Sequence, residues 1–157
     1  MAHLVAPRSS NLTIPVFYNV DAAVGAEPAD NNREDVLLVQ FAFAAMSASP
    51  LPEMSMEFYR AVCAVRATGT IDRVTINAIK AMQIEVKRNE PDAIVDGRVT
   101  PASGDFGRGG RACTIVNLNE SVQHGHLGLW PRIDKIPGCP LELKQMIVRT
   151  CSGSVKV

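Results

Sequence analysis

What this chain lacks narrows its function before anything it contains. It has no excess of either charge: sixteen Lys and Arg balance sixteen Asp and Glu. The long-range field that draws a protein to nucleic acid or anionic lipid is therefore missing, and neither partner is expected. No apolar run approaches the roughly 20 residues needed to cross a bilayer. The opening residues, Met1 to Arg8, have neither the basic start nor the apolar centre of a signal peptide, so export by the general secretory route is not expected. Disorder is equally unexpected for most of the chain, since 46% of its 157 residues are hydrophobic. That length and composition fit one domain with one core.

The chain also lacks the spacings of common catalytic and metal sites. Its four cysteines, Cys63, Cys113, Cys139 and Cys151, are too far apart for a C-x-x-C pair. Reduced structural thiols are the default reading, although Cys139 and Cys151 would close a loop in an oxidising compartment. There is no G-x-S-x-G elbow, no G-x-x-x-x-G-K-[ST] loop and no H-E-x-x-H helix. His124 and His126 alternate, and an extended backbone would set both imidazoles on one face as zinc ligands, with Cys139 or Asp134 as a third. Surface or capping histidines are the simpler reading. Cys63, flanked by Val62, Ala64 and Val65, reads as core, and Glu53 with Glu57 reads as a solvated pair on one helix face. No cofactor and no enzymatic activity are expected.

Periodicity supplies what is present. Residues 11–20 are rich in β-branched and aromatic side chains, and Pro15 makes them an edge strand or two short extended pieces lying across the helices. A first helix begins near Glu34, with Asn31, Asn32 or Asp35 receiving its free amides and Val36, Val39, Phe43 and Met46 on one buried stripe. A second is predicted from Pro52 or Glu53 to about Ala67, burying Met54, Phe58, Val62 and Val65, with Gly69 as its permissive C-terminal residue. A third opens at Asp72 and turns Thr75, Ala78, Ile79, Met82 and Val86 inward. Ile115, Leu118 and Val122 define a fourth, and Leu143, Ile147 and Cys151 a fifth over about Pro140 to Thr150. Residues 125–138 form a connector anchored by Trp130.

Between the third and fourth helices lie the Asp96-Gly97 turn and a loop holding five glycines from Gly97 to Gly110, with Phe106 its one aromatic. Two turn-then-helix signals thus follow one another, Gly69-Thr-Ile-Asp72 and Asp96-Gly97-Arg98-Val99-Thr100-Pro101. Taken with Val36, Val39 and Gln40 and with Thr75, Ala78, Ile79 and Gln83, they make residues 24 to 119 resemble the small three-helix peptidoglycan-binding domain, in versions associated with phage and type VI or other contractile secretion. In that family a V-x-x-L-Q-type helix is followed by a D-G-x-x-G-P-x-T turn opening a helix that ends in a Phe-Gln-like pair. This chain departs from the pattern where Arg73 follows Asp72 in place of glycine, and where a helix around Met54 to Val65 separates the two matching parts.

The resemblance implies a mostly α fold: a small helical bundle with a short extended N-terminal arm (residues 1–23), a peptidoglycan-binding-like body (24–123), and a C-terminal connector and helix packed on it (124–157). It implies a non-catalytic cell-wall module whose ligand meets Asp96, Arg98, Phe106 and Arg108, with Asp96 and Arg98 pairing the amino and carboxylate groups of a stem peptide. Two other readings stand beside it. One is a structural adaptor docking to other proteins of a contractile or phage apparatus, and the other is a small zinc-dependent wall hydrolase. Synthesis in the cytoplasm with delivery to the periplasm or wall without a signal peptide fits the first two, and oligomeric state is left open.

Overall fold

The computed structural model describes residues 2–6, 14–103 and 113–152. Among these the chain forms a mostly α bundle of five helices: α1 (Arg33–Ala48), α2 (Met56–Ala64), α3 (Arg73–Asn89), α4 (Thr114–Gly125) and α5 (Leu141–Ser152). Four short strands accompany them: β1 (His3–Val5), β2 (Phe17–Asn19), β3 (Val24–Gly25) and β4 (Arg98–Val99). Antiparallel pairing joins β1 to β2, with Leu4 opposite Tyr18, and β3 to β4, with Val24 opposite Val99.

Helix α1 organises the core. The predicted stripe of Val36, Val39, Phe43 and Met46 is buried, but so are Leu37, Leu38, Phe41, Ala42 and Ala45, which a one-sided helix would expose. The physical reason is that α1 packs against α2, α4, α5 and β3, so nearly every face meets protein. Its expected capping is not made. Asn32 occupies the N-cap with no side-chain bond, and Asn31, at φ 53°, spends its amide on Gly25 and Ala29 instead. Asp35 is fully buried and accepts from the N–H groups of Asp21 and Ala22, tying the chain ahead of β3 to the helix.

Helix α2 is shorter than predicted at both ends. Ser55 caps it by accepting the Phe58 N–H, so Met54 lies outside the helix, and Val65 is buried from an extended backbone after it. Gly69 is accordingly not the C-terminal residue of α2. Helix α3 follows the prediction closely, with Asp72 capping Thr75 N–H at 2.7 Å and Thr75, Ala78, Ile79 and Met82 buried. Val86 is only half-buried, and Gln83 takes an inward place.

The strand pair β1–β2 is fastened to the bundle by α4. Asn119 brackets Tyr18, its Oδ1 accepting the Tyr18 N–H at 2.7 Å and its Nδ2 donating to the Tyr18 carbonyl at 2.9 Å, as a neighbouring strand would. Phe17 and Tyr18 enter the core. Trp130 meets Tyr18 edge to face with ring centroids 5.9 Å apart, and the Tyr18 hydroxyl donates to the Pro131 carbonyl, so the connector is anchored where the sequence placed it. Arg33 grips Glu142 through two hydrogen bonds of 3.0 and 2.9 Å and donates to the Thr68 carbonyl, linking α1, α5 and the turn before α3.

Candidate functional site

The two turns singled out in the sequence are built alike, each around a buried glutamine. Gln40 on α1 accepts the N–H groups of Thr68 and Gly69 at 2.9 and 2.8 Å through Oε1, while its Nε2 donates to the Thr70 carbonyl and the Thr75 hydroxyl. Gln83 on α3 accepts the N–H groups of Asp96 and Gly97 at 3.1 and 2.8 Å, and its Nε2 donates to the Arg98 carbonyl, the Asp96 carboxylate and the Thr114 hydroxyl. Gly69 and Gly97 share nearly the same left-handed φ, 75° and 74°. Each unit therefore consists of a glutamine on a helix, a glycine turn, and a threonine on the helix that follows the turn. The amide matches a peptide group in donors and acceptors, which is why glutamine suits the backbone groups that such a turn points at a helix.

Asp96 and Arg98 are brought together by this turn. The Asp96 carboxylate accepts the Arg98 N–H at 2.9 Å and its Nε at 3.1 Å, and the guanidinium also reaches the Pro28 carbonyl. Asp96 thus builds the loop, and both side chains of the pair are a little under a third exposed, Arg98 at 30% and Asp96 at 28%. Phe106 and Arg108, the other two predicted contacts, lie outside the described residues, as does most of the glycine-rich loop around them.

Partial burial acts to raise the Asp96 carboxyl, but hydrogen bonds from the Arg98 N–H, the Gln83 amide and the Arg98 guanidinium, with that cation's charge, hold it below the ordinary carboxylate value. A depressed folded value stabilises the protein above the unfolded value of about 4, and this contribution disappears as pH falls through the folded value. Asp96→Asn keeps the acceptor for the Arg98 N–H and removes the titration. Urea midpoints followed from neutral pH down to about pH 3 should therefore fall less for the variant than for the wild type. Parallel curves would show that the carboxylate is not coupled to folding.

The residues considered for zinc do not converge. Helix α4 runs through Gly125, so His124 and His126 are not on the extended segment that would align them. His126 Nε2 lies 3.0 Å from the Ala45 carbonyl, whereas His124 lines a groove on another side of α4. Asp134 receives two 2.8 Å hydrogen bonds from Arg132, which hold its carboxyl low despite burial. Cys139 is a buried free thiol, pushed up to about 11 by desolvation. Among the described residues no group of three His, Cys, Asp or Glu side chains is placed to hold a metal ion. Nor is any described helix long and apolar enough to cross a membrane.

Sequence reasoning missed a groove of about 530 Å³ between α2, α3, α4 and the segment preceding α2. Its lining comes from three separated stretches, including Phe58, Met82, Glu85 and Asn117, and no local motif marks it. No protein-family model, curated protein or solved structure matches the chain.

Proposed function

We propose that this chain is a non-catalytic cell-wall binding module that recognises peptidoglycan, of the kind associated with phage and contractile secretion machinery. The supporting observation is the repeated glutamine-clamped turn. Gln40 and Gln83 are two of the residues on which the resemblance to peptidoglycan-binding domains rests, and each accepts the N–H groups of a glycine turn. A scaffold that invests two buried amides in holding short turns keeps those turns rigid, and a rigid turn loses little freedom when it binds. Arg98, about 30% exposed beside Asp96, would offer the outer edge of its guanidinium to a carboxylate of the wall polymer.

The test is co-sedimentation of the purified chain with insoluble peptidoglycan at two salt concentrations. The wild type should pellet, and Arg98→Ala, which leaves the Asp96 and Gln83 hydrogen bonds to backbone in place, should bind about tenfold more weakly. No sedimentation at either salt would overturn the wall reading. It would favour the adaptor reading, which draws on Leu141 and Val148, two exposed apolar side chains seven residues apart on one side of α5.

A further inference from the structure

The groove between α2, α3 and α4 has the chemistry of a peptide site. Its apolar part is made by Leu51, Met54, Phe58, Met82 and Val86, of which Phe58 and Met82 belong to the core and cannot move aside. Three carboxylates line it, Glu53, Glu85 and Glu120, against one guanidinium, Arg88. Arg88 is committed to Glu85 at 2.7 Å, and Glu85 also accepts from the Ser55 hydroxyl, so this carboxylate is fixed in place. Beside them the Asn117 side-chain nitrogen is shielded from solvent and has no hydrogen-bond partner among the described residues. Such a donor is costly to leave unused, by about 1–3 kcal/mol, and a turn of the half-buried Asn117 side chain into the groove would let a ligand carbonyl satisfy it.

Phe58 and Glu85 bound the groove on the α2–α3 side. Both residues also line an adjoining recess of about 170 Å³ between α2 and α3, where Glu57, Lys80 and the exposed Ile84 are found. The two recesses share Phe58 and Glu85 as a common wall, and a chain crossing that wall reaches both, which suits an extended ligand better than a single compact one.

We propose that these two recesses bind an extended peptide segment of a partner protein, one that carries a lysine or arginine beside an apolar side chain. The apolar group rests on Phe58 and Met82, the cation faces Glu53, and a backbone carbonyl accepts from Asn117 Nδ2 once that side chain has turned into the groove. Charge complementarity selects the cation, since an acidic segment would meet the carboxylate excess of the lining. Neither recess shares a residue with the Asp96–Arg98 turn, so this inference does not depend on the wall reading.

A random-peptide phage library panned on the immobilised full chain tests it. Enriched peptides should carry Lys or Arg within two positions of Leu, Ile, Phe or Met. As synthetic peptides they should bind Glu53→Lys about tenfold more weakly than wild type in fluorescence anisotropy. Ser121→Trp, which fills the groove from α4, should abolish binding, and circular dichroism should show both variants folded. Glu53 is exposed, so its reversal keeps the test valid if the tryptophan variant fails to fold. Failure to enrich any peptide, enrichment without basic residues, or equal affinity for folded Glu53→Lys would each overturn the proposal. Glu53→Lys should pellet with peptidoglycan as the wild type does, which separates this site from the wall-binding one.

Discussion

Gln40→Leu should cost about 3–5 kcal/mol of folding free energy, although leucine fits the volume and removes no apolar contact. Gln40 is fully buried, and the substitution strips two N–H groups, Thr68 and Gly69, of their acceptor and takes a donor from the Thr70 carbonyl and the Thr75 hydroxyl. Each stranded buried group costs about 1–3 kcal/mol, and the sum is reduced because Thr68 and Thr70 lie where water can reach them. Gln83→Leu should be milder, because Asp96 independently holds the Arg98 N–H in the second turn. Urea unfolding of both variants decides the matter. A loss below about 1 kcal/mol for Gln40→Leu would mean that the clamp is dispensable and that the turn is set by its own backbone preferences.

Gly25→Ala should be at least as damaging, at about 3 kcal/mol or more, although it adds one methyl group. Gly25 lies at φ 127°, outside the regions open to other residues, and an added Cβ would stand 2.1 Å from the Gly97 carbonyl oxygen and 3.0 Å from Arg98 Cα. These are backbone atoms of the paired strand, which cannot turn away as a side chain can. Relief requires β3 to leave β4, breaking the Val24–Val99 pairing and the bond from Ala26 N–H to the Gly97 carbonyl. At Gly97 the same methyl would meet the Lys80 and Ile76 side chains, so Gly97→Ala should cost less. Thermal melts of the two variants rank them, and equal losses would show that φ alone, and not the strand contact, sets the penalty.

Legibility in the sequence followed locality. Helix α3 could be read to within a residue of its start because Asp72 caps it and its apolar period is clean. Helix α2 could not, since Pro52 and Glu53 are acceptable starts by sequence and only the Ser55 bond to Phe58 N–H sets the observed one. The stripe assigned to α1 was right but incomplete, because burial on every face reflects neighbours supplied by distant segments. Asp96 and Arg98 could be picked out as a pair from their turn. Their partner Gln83 was visible only through the family resemblance, and the groove at Phe58, Glu85 and Asn117 left no local trace.

By itself, then, the sequence determined the mostly α class, the five helices and the two glycine turns, because apolar period, caps and turn residues act over a few neighbouring positions. Only the tertiary structure decided that α1 is the centre, that Gln40 and Gln83 clamp those turns, and that carboxylates from separate elements line one groove. These depend on which side chains meet across dozens of residues, and such meetings are settled by packing and by the need to satisfy every buried polar group.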